Sequence, residues 1–291
     1  MPYLKITAVL FAAALLVSCK RDHPTAETPK PGFTKKVLLE KFTTTSCGNC
    51  GKADLEIEAF KKQYPGKLIS VHYHLFTGQH GGDSMATGDA QDIAVALGLL
   101  GTPYAAVNRQ HLPGDMNDVL YPGGNWAAPI AAGVTETSDC GIALDASSVS
   151  GNILTIKSTV KFSKTVAEPL YLSVFLLEDS ITGDTGYWQA NYYNNDATVP
   201  GLFGRGHPIK KYVHNDVYRA AVTPFWGQAI PADSTKENVQ HTVILTADIS
   251  KYRVNHLKVV AFVHGRGDVF TRNKYKVLNA QEVYVGKIQS L

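Results

Sequence analysis

Cysteine is scarce in this chain of 291 residues: Cys19, Cys47, Cys50 and Cys140 are all it has. Four are too few for the disulfide framework of a small secreted domain. Charge is thin as well. Charged residues make up 18%, the formal net charge is +3, and Lys and Arg form no dense block. That pattern argues against a nucleic-acid surface, so no nucleic acid is expected among the partners. No stretch reaches the roughly 20 apolar residues that a spanning helix needs. There is no internal repeat and no heptad. What is present is an ordinary apolar content of 44%, and the length suits roughly two domains.

The amino terminus reads as a targeting segment over residues 1–19. Lys5 gives a weak positive start, and Ile6 to Val17 is a short apolar core, right for a signal peptide. It ends in Leu16-Val17-Ser18-Cys19, which resembles the lipobox of bacterial lipoproteins. The resemblance implies that Cys19 is diacylated and becomes the mature terminus. An ordinary signal peptide with an accidental Cys is the plainer alternative; core, box and tether together favour lipidation. More than one acyl chain makes anchoring stable. Lys20, rather than Asp, follows the Cys, and by resemblance to the enteric sorting rule this favours the outer membrane. Residues 20–34, with three prolines and no apolar period, form a flexible tether. At about 3 Å per residue it reaches up to roughly 45 Å.

The most informative stretch follows. Val37 to Phe42 is an apolar run that predicts a buried strand. A Thr/Ser turn leads into Cys47-Gly48-Asn49-Cys50, and Ala53, Leu55, Ile57, Ala59 and Phe60 then recur among charges as in a helix. A sulfur at a helix start meets unpaired N–H groups and the positive dipole end, which favour its thiolate. Cys47 is therefore expected at the helix start as the attacking thiol. Cys50, one turn on and on the same face, is the resolving thiol. Two other readings stay open. Zinc needs four ligands; no second pair of cysteines exists, although His72 and His74 share a strand face. A permanent structural disulfide is the other. No cofactor and no metal is expected, and His80 and Asp83 have no ligand spacing. Cys140 reads as a buried free thiol at a strand start.

Downstream, Leu68 to Leu75 predicts a strand, Ala90 to Leu100 a helix, Tyr104 to Asn108 a strand and Trp126 to Val134 a closing helix. Gly101-Thr102-Pro103 precedes the Tyr104 strand and resembles the cis-proline segment of thioredoxin-like proteins. The resemblance implies that Pro103 is cis beside the cysteines and that the Thr102 backbone pairs with an extended substrate. Where the thioredoxin pattern has a buried Asp, six residues before the first Cys, this chain has Lys41; Glu40 is one position earlier and so on the other strand face. From Asp139 the pattern becomes β-rich. Ile142 to Leu144, Ile153 to Phe162, Leu170 to Leu177, Thr242 to Thr246, Leu257 to Val263 and Glu282 to Val285 predict short strands of an antiparallel sandwich. An aromatic, Gly-rich insert at about 184–230 interrupts them. It is expected to pack across the sandwich or against the first domain, with sugar or partner stacking as the alternative. Arg266-Gly267-Asp268 reads as turn chemistry rather than an adhesion signal.

Together, the lipobox, the Leu39 to Thr43 strand, Cys47-Gly48-Asn49-Cys50, Gly101-Thr102-Pro103 and the β-rich second half resemble the outer-membrane-protein-28-like lipoproteins of the Bacteroidetes type. The implied fold class is α/β plus all-β: a thioredoxin-like domain over 35–137, then an immunoglobulin-like antiparallel sandwich over 138–291. Ser46 departs from the Trp, and Gly51 from the Pro, often found at those positions in the thioredoxin superfamily. The implied location is the outer membrane, with the lipid on Cys19 as anchor. The expected function is thiol–disulfide exchange on envelope proteins carrying thiols or disulfides, with Cys47, Cys50, Thr102 and Pro103 as the redox-active residues. The alternative is a non-catalytic binding or structural lipoprotein with a permanent Cys47–Cys50 disulfide.

Overall fold

The computed structural model describes residues 32–76, 82–111, 114, 118–267 and 271–291. The lipobox with Cys19, most of the tether, His80 and Asp268 lie outside the described residues. In chain order the elements are β1 (Phe33–Thr34), β2 (Val37–Thr43), α1 (Cys50–Gln63), β3 (Leu68–His74), α2 (Gly88–Ala96), β4 (Tyr104–Val107), β5 (Leu120–Pro122) and α3 (Ala127–Gly133). Then follow β6 (Thr137–Ser138), β7 (Cys140–Ser150), β8 (Ile153–Phe162), β9 (Tyr171–Glu178), β10 (Val217–Ala221), β11 (Gln228–Ala229), β12 (Gln240–Asp248), β13 (Leu257–His264), β14 (Val277–Tyr284) and β15 (Ile288–Gln289). Phe33 and Thr34, expected as the end of the tether, instead pair with Ser138 and Thr137. The Phe33 ring lies where a side chain at position 141 would stand, so Gly141 makes that contact possible.

A nine-stranded sheet in the order β14-β13-β9-β10-β3-β2-β4-β5, with β11 also on β9, organises the fold. β2 and β3 run parallel in register from Val37↔Leu68 to Thr43↔His74. Both are buried along their whole length, which is why Val37, Leu38 and Leu39 follow one another without a polar alternation. On one face, Leu38, Phe42, Ile69, Val71 and Tyr73 share a core with Ala90, Ile93 and Ala94 of α2 and with Phe175, Val260 and Phe262. On the other, Val37, Leu39, Leu68 and Val107 pack against Ala53 and Ile57 of α1 and Trp126 and Ile130 beside α3.

Further along the sheet, helices give way to a second sheet of order β12-β8-β7-β15. Its Ile142, Leu144, Leu154, Ile156, Val160 and Phe162 close a core with Leu172, Val174, Leu176, Val259, Ala261 and Val263. The chain is thus a helix-covered sheet continuing into an antiparallel sandwich. Strands from both sides of the expected 137/138 boundary share the large sheet, and from Gly32 onward the described chain forms one compact unit. The join is β10, a strand the sequence pattern hid inside the insert: it pairs parallel with β3 at Val217↔His72 and antiparallel with β9.

Candidate functional site

Cys47 and Cys50 are joined as a disulfide. α1 starts at Cys50 and not at Cys47. Cys47 closes a turn, donating its N–H to Thr44 O at 3.1 Å, and Cys50 N–H donates to Cys47 O at 3.2 Å. The reason is local: Asn49, the residue before the helix, is itself helical in φ/ψ and makes no side-chain cap, so the first turn is a continuation of the cysteine turn. No acidic residue stands in that first turn. The positive helix end therefore acts on the sulfurs without a competing carboxylate. Cys47 is half-buried, whereas Cys50 is fully buried.

The Thr102–Pro103 bond is cis. Thr102, Pro103, Tyr104, Asn49, Lys52 and Tyr193 line a groove of about 350 Å³ that Gly123 and Gly124 close at the far side. A side chain at position 123 would stand 3.0 Å from Pro103 Cγ, so Gly123 keeps that wall low. The structure thus brings Thr102 and Pro103 to the residue between the two cysteines.

The insert supplies a strap over the cysteine turn. Ala190 N–H donates to Thr45 O at 2.7 Å, and Tyr192 N–H to Gly48 O at 3.1 Å. Gln189 Nε2 donates to Cys47 O at 2.8 Å, and Tyr193 Oη donates to Asn49 Oδ1 at 3.1 Å. The Tyr192 ring occupies the space where a Cβ at position 48 would lie, 2.3 Å from its Cδ1. Only glycine admits this contact. These partners lie about 140 residues from the cysteines in sequence, and only the aromatic density of 187–193 hinted at them.

Beneath α1 lies a buried polar network. Lys41 pairs with Asp54, Tyr212 Oη donates to Asp54 Oδ2 at 2.8 Å, and His72 Nδ1 lies 3.6 Å from Asp54 Oδ1. Burial pushes the Asp54 carboxyl up, but the Lys41 charge and the hydrogen bonds from Lys41 and Tyr212 hold it below its usual range. Burial drives His72 well below its ordinary value, with Lys41 adding to the effect, so its ring is neutral. His74 Nδ1 lies 2.7 Å from Asp83 Oδ2, which also accepts from Thr45 N–H at 2.9 Å. His72 and His74 thus face separate carboxylates, and among the described residues no group of three or more His, Cys, Asp or Glu is placed to hold a metal ion. Glu40, on the opposite sheet face as the register required, accepts two hydrogen bonds from Arg109 at 2.7 Å each and one from Tyr73 at 2.8 Å. Cys140 is buried, and that burial pushes its thiol up, away from reactivity.

The sequence profile of the family described as Outer membrane protein Omp28 matches residues 90–289. Thr102, Pro103 and the strap fall within that range; Cys47 and Cys50 precede it. Among solved structures the chain is similar to HBP35 of Porphyromonas gingivalis, with 18% identity and a TM-score of 0.64 over 89% of this chain and 77% of that one. It is also similar to protein AGR_C_4864 from Agrobacterium tumefaciens, with 14% identity and a TM-score of 0.56 over 89% and 97% of the two chains. A domain of the outer membrane lipoprotein Omp28 from Porphyromonas gingivalis matches with 16% identity and a TM-score of 0.30 over 51% of this chain and 88% of that one. For HBP35 and AGR_C_4864, at such identities, likeness speaks for fold and not for chemistry. No curated protein matches.

Proposed function

The chain belongs to the Omp28 family of outer membrane proteins, and from that premise we propose that it is a lipid-anchored thiol–disulfide oxidoreductase of the cell envelope. In this reading residues 35–137 are a thioredoxin-like unit, 138–291 an immunoglobulin-like sandwich that carries the strap, and Cys19 the lipidated residue. Because the cysteines precede the family-matched residues, the activity rests on geometry. One observation carries it: a half-exposed Cys47 bonded to a buried Cys50 at the start of α1, with Asn49 between them lining one groove with Thr102 and Pro103.

The exchange balances as follows. A client thiolate attacks Cys47 Sγ, the Cys47–Cys50 bond breaks, and Cys50 leaves as a thiolate beside the helix N-terminus. The client's second thiolate then attacks its own sulfur in the mixed disulfide and expels Cys47 as a thiolate. Two electrons pass from the client dithiol to the cysteine pair; the reverse sequence reduces a client disulfide. Attack falls on Cys47 because Cys50 is sealed. The Thr102 backbone, beside the groove, is the element that would align an extended client.

Expressed in its own envelope, Cys50→Ala should accumulate mixed disulfides through Cys47, visible as thiol-sensitive adducts in mass spectrometry. A chain that forms none, and whose wild-type disulfide stays fully oxidised and inert to client dithiols, would instead be the non-catalytic lipoprotein. Cys19→Ser tests the anchor separately: the variant is expected in the soluble fraction, and continued membrane association would exclude lipidation at that residue.

A further inference from the structure

A second groove starts on the other side of the cysteine turn. Thr45, Ser46, Trp188, Tyr192, His207 and Pro208 enclose about 440 Å³. This groove shares no lining residue with the cis-proline groove: one begins at Asn49, the other at Thr45 and Ser46, and Cys47 and Gly48 stand between them in the chain. Ser46 has no bulk, and the insert builds the wall that Ser46 does not. Tyr192 is 68% exposed although its place is fixed. Its backbone is bound to Gly48 O, its ring rests on Gly48, and the His207 ring lies 5.8 Å away. Asn191 N–H donates to His207 Nδ1 at 3.0 Å and holds that imidazole in place. Trp188 is half-buried, with Lys210 Nζ 5.0 Å from its ring centroid.

Rigid aromatic faces left open to water are the composition of recognition surfaces. Their position decides what they recognise. Whatever fills this groove lies beside Ser46, one residue from the sulfur that is attacked. In a client protein, the group held one residue from the reacting sulfur is the side chain flanking its cysteine. We propose that the groove formed by Trp188, Tyr192 and His207 is a specificity subsite that takes a bulky aromatic or apolar side chain next to the client's cysteine. The occupant is an extended, cysteine-bearing segment of an envelope protein, lying across the turn from this groove toward the cis-proline groove. The inference rests on the redox reading and adds to it a substrate class and the residues that select it.

Two dithiol peptides of equal length and charge, with Phe or Ser beside the attacking cysteine, are reacted with the oxidised full chain. Loss of the Cys47–Cys50 disulfide is followed by mass spectrometry. The Phe peptide should react about tenfold faster, the size expected of one well-stacked aromatic pair. In Trp188→Ala and in Tyr192→Ser the ratio of the two rates should fall toward one, whereas Tyr192→Phe should keep it. Should Trp188→Ala fail to fold by circular dichroism, Tyr192→Ser, which alters an exposed ring, carries the test. Equal rates for the two peptides in the wild type, or a ratio that survives in every folded variant, would overturn the subsite alone. If neither peptide exchanges with the wild type at all, the redox reading falls, and the subsite with it.

Discussion

At the scale of single residues, the buried charges are the most demanding feature. Glu40 and Arg109 are both buried, and each satisfies the other through paired hydrogen bonds. Burial alone would lower the Arg109 affinity for its proton, yet Glu40 outweighs it and holds the guanidinium firmly charged. Removing one partner leaves the other without its counter-charge in the core. Arg109→Ala is therefore expected to lower stability by about 3–5 kcal/mol, read from urea unfolding. A loss below about 1 kcal/mol would mean that water reaches the pair. Asp216 is a comparable hub on the opposite sheet face, receiving Lys61 from α1, Lys258 from β13 and the Ser70 hydroxyl from β3. It stands one residue before β10, so its charge pairs fasten the hidden strand from three sides.

At the scale of elements, the strap and the cysteine turn act as a pair. The turn offers carbonyls from Thr45, Cys47 and Gly48, and the strap answers with N–H groups from Ala190 and Tyr192 and the Gln189 amide. The fit depends on a missing side chain at Gly48. Gly48→Ala forces its new methyl into the Tyr192 ring, and the ring must move or the turn must open. Such overpacking typically costs about 1–3 kcal/mol. The expected result is a severalfold faster reduction of the Cys47–Cys50 disulfide by dithiothreitol, together with new proteolytic cleavage near Tyr192. An unchanged reduction rate would show that the strap does not limit access to the sulfurs.

For the whole molecule, acid should be the effective denaturant. Burial, with His74 close by, depresses His214 to about 4, and burial with Arg109 nearby depresses His264 to about 3. Both rings are neutral when folded, while the unfolded chain takes up these protons below about pH 6.5. The unfolded state thus binds more protons as pH falls, and stability drops from about pH 6.5 toward pH 4. For His214 alone, the span from 6.5 to about 4 corresponds to about 3 kcal/mol. Below about pH 4 a second loss follows from Asp54 and Asp216, carboxyls that the fold holds below their usual range. Urea midpoints at a series of pH values should show this slope, flattened in its upper part in His214→Gln. Stability that stays level between pH 7 and pH 4.5 would refute the assignment.

Much of this architecture is local and was legible in the chain. The runs Val37 to Phe42 and Leu68 to Leu75 announce strands, and Ile153 to Phe162 announces a sandwich strand by its alternation. Cys47 and Cys50, spaced three apart before an amphipathic stretch, are close enough in the chain to form the disulfide that the structure shows. What no local pattern carried was who meets whom. β10 has five residues of mixed character, and becomes a strand only because β3 and β9 each present it a free edge. The strap, both grooves and the Asp54 partners join residues far apart in sequence, whose meeting is set by how the two sheets and α1 pack. Sequence by itself determined that the chain holds a dithiol motif on a parallel strand pair and a β-rich second half. Tertiary structure alone decided that the second half closes over the dithiol, since contact across such separations is a property of packing and leaves no periodic trace in the chain.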